Sequence, residues 1–174
     1  MSREVREFIS EEEIKKRIKE LGKKITDDYR GKDILLVGIL KGSVPFLTAL
    51  MWEIDNPELS MDFMQVSSYG ANTESLGDVK ILKDLDDSIK DKNVLIVEDI
   101  VDTGRTIERL KGMLNTREPK SLKVCTLLDK PSRRTCDVKA DYVGFEIDNV
   151  FVAGFGLDDN QLMRQLKYVG EVIF

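Results

Sequence analysis

The sequence predicts an α/β protein built on a mainly parallel twisted sheet with helices on both faces. Two observations carry this. Short apolar runs alternate with segments of helical periodicity, the pattern of strand–helix units packed into layers. The run Ile34-Leu35-Leu36-Val37-Gly38-Ile39-Leu40 is almost wholly apolar, as befits a central parallel strand covered on both faces. A third observation locates the working edge of that sheet. The apolar run Val94-Leu95-Ile96-Val97 leads straight into Glu98-Asp99, and Asp102-Thr103-Gly104-Arg105-Thr106 then opens a helix. Acids and free backbone N–H groups thus fall at the carboxyl end of a strand, where open α/β sheets bind ligands.

The elements follow in order. Ser10-Glu11-Glu12-Glu13 forms a capping box. Ile14, Ile18, Leu21 and Ile25 then line one helical face, and Gly31 closes the element. After the strand at 33–40, Ser43 is an N-cap and Pro45 stands near the first turn of a helix reaching about Ile54. Ser60 to Tyr69 reads as a strand, the polar stretch 70–78 as a loop too long for a tight hairpin, and Val79 to Leu85 as the next strand. Ile107, Leu110 and Leu114 give a short amphipathic helix behind the central motif. Ser121–Leu128, Asp141–Ile147 and Val150–Ala153 are strands, Gln161–Leu166 a helical turn, and Tyr168–Phe174 a last strand. No linker or repeat interrupts the 174 residues, so residues 1–174 read as one domain.

Composition narrows the chemistry. Hydrophobic residues make up 41% and charged residues 34%, the balance of a soluble globular chain. No apolar run approaches the ~20 residues that cross a bilayer, and the first residues lack the apolar core of a secretory signal. Cys125 and Cys136 therefore read as reduced thiols in a cytoplasm, Cys125 packing within a strand. A net charge of −5 argues against a protein that coats nucleic acid. The chain contains no histidine, which excludes Ser-His-Asp and Cys-His catalysis and every His-ligated metal. Any metal here is hard and oxygen-ligated, such as Mg²⁺.

The small-residue loop before the helix at Arg105 suits a phosphate, because helix N-termini present N–H groups and positive potential. Glu98 and Asp99 cannot meet that phosphate, since like charges repel; they suit sugar hydroxyls or a hydrated cation. Together the two features point to a phosphorylated sugar. The plainer alternatives are a strand–turn–helix joint with a threonine cap and a solvated strand end.

Val94 to Ile107 resembles the phosphoribosyl-pyrophosphate (PRPP) motif of the type I phosphoribosyltransferases. Gly38 to Ser43 is similar to the pyrophosphate loop of their 6-oxopurine branch, and Ser67-Ser68-Tyr69-Gly70 to its lid loop. Leu127-Leu128-Asp129-Lys130-Pro131-Ser132-Arg133-Arg134 resembles the purine-binding lysine segment, and Phe151 to Asp158 with Arg164 the hood over the base. The resemblance implies a core over about 30–147 and a small hood built from the N-terminal residues and about 148–174. It implies purine salvage: transfer of the 5-phosphoribosyl group from PRPP to N9 of hypoxanthine or guanine, giving IMP or GMP and pyrophosphate. It also implies Mg²⁺, small-molecule partners only, and a homodimer or homotetramer. A xanthine-preferring enzyme and a non-catalytic nucleotide sensor are the alternatives.

The same resemblance assigns roles. Asp102, Thr103, Gly104, Arg105 and Thr106 hold the 5-phosphate. Glu98 and Asp99 take the ribose hydroxyls, directly or through Mg²⁺. Asp102 is the general base for the purine N7 proton; it also reads as a cap on the following helix, and both roles can hold at once. Lys130 donates to the 6-oxo group, Phe151 stacks on the base, and the Val152 backbone reads its pyrimidine edge. Asp158 serves the purine side and a second Mg²⁺. Lys41, Gly42, Arg134 and Arg164 receive pyrophosphate, and Ser68 and Tyr69 belong to the lid loop. Asp159 departs from the family pattern, where tyrosine is common; it adds a metal-site charge or faces solvent, as surface acids usually do. Leu162-Met163 and Arg105 depart as well.

Overall fold

The computed structural model describes residues 3–68 and 79–174. Tyr69 and the 70–78 loop lie outside the described residues, and of Ser68 only its place in a strand is described. The elements are β1 (Glu4–Ile9), α1 (Glu11–Asp28), β2 (Ile34–Ile39), α2 (Val44–Trp52), β3 (Leu59–Ser68), β4 (Val79–Lys83), β5 (Asn93–Val101), α3 (Arg105–Asn115), β6 (Ser121–Asp129), β7 (Tyr142–Glu146), β8 (Val152–Ala153) and β9 (Val169–Ile173).

Six strands form the main sheet in the order β4-β3-β2-β5-β6-β7. All its pairings are parallel except β3 with β4. The entirely buried β2 and the first five residues of β5 sit at its centre, as continuous apolar runs require. Helices α1 and α2 bury Ile14, Ile18, Leu21, Ile25, Phe46 and Leu50 against one face; α3 buries Ile107, Leu110 and Leu114 against the other. The Ser10–Glu13 capping box is complete, with Glu13 N–H donating to Ser10 Oγ at 3.2 Å and Ser10 N–H to Glu13 Oε2 at 2.8 Å.

A second, three-stranded antiparallel sheet, β1-β9-β8, joins the two ends of the chain into the hood. Strand β1 was not foreseen as a strand: Arg3-Glu4-Val5-Arg6-Glu7 is mostly charged, and its pairing is earned only across the chain by β9. Two further expectations are corrected. Ser43 is not a capping side chain; its backbone is helical, it makes no capping bond, and its Oγ is buried without a partner. Gln161–Leu166 is not a helical turn. Asn160, Gln161 and Met163 have positive φ, and the Asp159–Leu162 bridge closes a tight hairpin, so the backbone turns the wrong way for a right-handed helix. Among the described residues no helix is long and apolar enough to cross a membrane.

Candidate active site

The chain order creates the site. From β2 the connection runs through α2 to β3 on one side; from β5 it runs through α3 to β6 on the other. The sheet therefore changes winding direction between β2 and β5, and a crevice opens at their carboxyl ends. A cavity of about 390 Å³ occupies that crevice, and Lys41, Gly42, Glu98, Asp99, Asp102, Thr103, Gly104, Thr106, Asp158 and Arg164 lie on its wall. Ten of the residues singled out from sequence thus share one space. Arg105, Lys130, Arg134, Phe151 and Val152 are not on that wall.

Gly104 occupies the cap position of α3 with φ +85°, a left-handed conformation that costs glycine little. A Cβ there would lie 2.8 Å from Arg134 Cδ and 3.1 Å from Cys136 Sγ. Gly104, as the cap residue, has no side chain to bond the first N–H groups of α3. Among the described residues the Asp102 carboxylate bonds Arg133 and not the first turn of α3, and Thr103, Gly104 and Thr106 bring the helix N-terminus to the cavity wall. Thr103 Oγ1 accepts from the Arg105 N–H at 3.4 Å, a long bond on the first residue of α3.

Glu98 is buried, 7% exposed, and Asp99 is partly buried beside it. Burial raises the Glu98 carboxyl well above its ordinary range, and the neighbouring Asp99 raises it further. Asp99 is also raised by burial, against which the Ile100 N–H and the charge of Arg164 work. Two adjacent acids that resist ionisation together make a site that gains from a cation. Among the described residues no cluster of three or more metal-ligating side chains converges. A pair of carboxylates still fits Mg²⁺, which commonly binds one or two carboxylates and completes its shell with water and substrate phosphate oxygens.

Asp102 Oδ1 accepts from Arg133 Nε at 3.1 Å. Arg133 ends the 3₁₀ turn Pro131–Arg133 that follows Lys130, so the lysine segment and the turn before α3 are joined by an ion pair that the sequence pattern did not signal. Lys130 is itself buried, with Nζ donating to Val150 O at 2.7 Å. Burial lowers its pKa, Asp102 opposing that shift and Arg133 adding to it. Arg134 stands elsewhere than expected. Its guanidinium pairs with Asp129 and donates to Val138 O (3.0 Å), Val101 O (3.3 Å) and Asp102 O (2.7 Å), behind the phosphate loop. Four of its five donors brace the turn before α3, and the residue does not line the crevice.

The hood supplies the remaining side chains. Arg164 pairs with Asp158 at 2.9 Å and donates to Gly156 O at 2.7 Å, while Asp158 Oδ2 accepts from Gln161 N–H at 2.7 Å. Phe151 stands 45% exposed ahead of the buried Val152. Asp159 does not face solvent, nor does it join the acids of the cavity: it is buried, and both its oxygens accept from Arg3. The missed signal is a basic residue just before β1, too far away in sequence to be linked to Asp159 without knowing that the two ends pair.

A parallel sheet with acids and a small-residue loop at its switch point defines the type I phosphoribosyltransferase class. The chain belongs to the phosphoribosyl transferase domain family, whose model matches residues 5–160. It is 51% identical over 175 aligned residues to the hypoxanthine phosphoribosyltransferase of Salmonella typhimurium, covering 99% of this chain and 98% of that one. Two solved structures are similar throughout. The hypoxanthine phosphoribosyltransferase of Staphylococcus aureus has a TM-score of 0.92 and 49% identity, covering 96% of this chain and 90% of that one. A hypoxanthine-guanine phosphoribosyltransferase of Bacillus anthracis has a TM-score of 0.93 and 44% identity, covering 98% and 100%.

Proposed function

We propose that this enzyme moves the 5-phosphoribosyl group of PRPP to N9 of hypoxanthine or guanine, releasing pyrophosphate, as a purine-salvage transferase. The observation that carries the proposal is the convergence of Glu98, Asp99 and the open N-terminus of α3 on one crevice with the Arg164–Asp158 pair. A 5-phosphate fits the N–H groups of the Thr103–Thr106 turn, and the ribose hydroxyls fit Glu98 and Asp99. Glu98 and Asp99 would hold Mg²⁺ when it binds, and its charge would offset that of the leaving diphosphate.

Asp102 takes the N7 proton as N9 attacks C1. Its Oδ1 accepts from Arg133, which leaves Oδ2 to receive the proton. Lys130 donates to the 6-oxo oxygen; its bond to Val150 O sets the direction of Nζ, and an amino group at that position would leave the donor aimed at it without an acceptor. Phe151 covers one face of the base. Lys41, the Gly42 backbone and Arg164 receive the pyrophosphate, and Arg134 acts through the loop it braces. Action in a reducing cytoplasm and assembly into a homodimer or homotetramer belong to the same reading; sedimentation equilibrium reads the assembly directly.

The test is a phosphoribosyl-transfer assay with hypoxanthine, guanine, xanthine and adenine as acceptors. We expect transfer to the first two and none to adenine. Preference for xanthine would move the enzyme to the neighbouring specificity, and no transfer to any purine would refute the reading.

A further inference from the structure

Outside the crevice, the two ends of the described chain meet in an arrangement that the reaction so far leaves unused. The antiparallel register pairs Glu4 with Ile173, which sets Arg3, just before β1, opposite Phe174, just past β9. The guanidinium carbon of Arg3 lies 5.0 Å over the Phe174 ring. On its other side Arg3 gives its hydrogen bonds to both oxygens of the buried Asp159. The Phe174 ring in turn meets Phe151, with centroids 5.6 Å apart and planes tilted by 58°. The backbone repeats the connection, since Val172 N–H donates to Phe151 O at 2.9 Å. A chain of contacts therefore runs from the hairpin carrying Asp158 and Arg164, through Asp159, Arg3 and Phe174, to the Phe151 ring.

We propose that Phe174 and Arg3 are positioning residues for the purine: clamped by Asp159, they hold the Phe151 ring in the plane that stacks on the base. The inference rests on the reading of Phe151 as the stacking ring. Each link has a physical reason. Phe151 is 45% exposed, so core packing does not lock its rotamer, and a tilted aromatic neighbour does. Phe174 is 83% exposed and buries little apolar area, so its contribution to the fold is small and its orienting contact stands out. Arg3 can grip a carboxylate in its plane and an aromatic ring on its face at once, which lysine cannot. Asp159, taken out of water, requires that cation.

The experiment compares Phe174→Ala, Arg3→Met, Phe151→Ala and the double variant Phe151→Ala/Phe174→Ala. Steady-state constants are measured separately for hypoxanthine and PRPP, together with thermal stability. For Phe174→Ala we expect KM for hypoxanthine to rise about three- to tenfold, the range an aromatic pair supports. KM for PRPP and kcat stay within about twofold and Tm within about 1 °C, as for a surface substitution. Phe174→Trp restores the hypoxanthine KM, Arg3→Met shows the same purine-selective rise, and Phe174→Ala adds nothing in the Phe151→Ala background. If Phe151→Ala raises the hypoxanthine KM and Phe174→Ala does not, the clamp is refuted and the stacking role stands. If Phe151→Ala leaves that KM unchanged, the stacking role fails and the clamp with it. Equal rises in both KM values for Phe174→Ala or Arg3→Met would reduce the contacts to general hood stability and overturn the proposal.

Discussion

Gly42 and Asp99 stand so close that a Cβ on the glycine would lie 1.8 Å from Asp99 Oδ2. The loop after β2 and the acids of β5 are thereby locked together across the switch point of the sheet. Any side chain at 42 must push the carboxylate aside or the loop away. Gly42→Ala should cut turnover by ~10²-fold, the usual penalty for misplacing a reacting group by about an ångström. Circular dichroism should stay native, because neither β2 nor β5 depends on the loop for its pairing. Kinetics beside a melting curve check this; wild-type turnover would show that the contact is not needed.

Glu98 is predicted to limit stability in the service of the site. Its folded pKa lies well above its ordinary value of 4.5, so the folded state holds this proton more tightly than the unfolded state does. Above pH 4.5 the unfolded chain releases the proton first, and stability falls with rising pH until the folded carboxyl also ionises. Glu98→Gln removes that cost. Its Tm at pH 7.5 should rise by ~2–4 °C for each kcal/mol recovered, while transfer falls steeply. Calorimetry from pH 4 to 8 would reveal a gap between variant and wild type that widens with pH. A gap constant in pH would refute the burial argument.

Asp102→Asn should leave PRPP binding within about threefold and reduce kcat by ~10²–10⁴-fold, the range for removing a general base. Stability should change by less than ~0.5 kcal/mol, because the Arg133 pair it weakens is exposed on both sides. Isothermal titration with PRPP and a single-turnover assay separate the two effects. An unchanged kcat would remove Asp102 from proton transfer.

Arg134→Ala distinguishes bracing from direct contact with pyrophosphate. Both members of the Arg134–Asp129 pair are largely buried, and breaking such a pair costs ~3–5 kcal/mol. Tm should therefore drop by ~10 °C, with PRPP affinity falling because the Val101 and Asp102 carbonyls lose their anchor. A variant of native stability that loses only pyrophosphate affinity would return Arg134 to the crevice.

The core of this fold was legible because periodicity and burial agree in it. Ile34–Ile39 and Val94–Val97 are apolar on both faces and became the centre of the sheet, and Ser10–Glu13 capped its helix as written. The crevice was legible for a related reason: carboxylates and a Gly-Arg-Thr step placed after such a strand can face only the ligand edge. What escaped depends on contacts remote in sequence. Strand β1 is polar and exists because β9 pairs with it; Asp159 is buried because Arg3 reaches it; Arg133 and Arg134 look alike in sequence, yet one meets the Asp102 carboxylate and the other its carbonyl. Ser43 has the composition of a cap and none of the geometry, since its backbone is already helical.

The location of a nucleotide's phosphate tests the account most directly. Crystals grown with GMP and Mg²⁺ should show the 5-phosphate against the N–H groups of Thr103 to Thr106, with the ribose hydroxyls on Glu98 and Asp99 and the purine between Phe151 and Lys130. Phosphate density on the Lys41–Gly42 loop instead, with the Thr103–Thr106 turn empty, would contradict it.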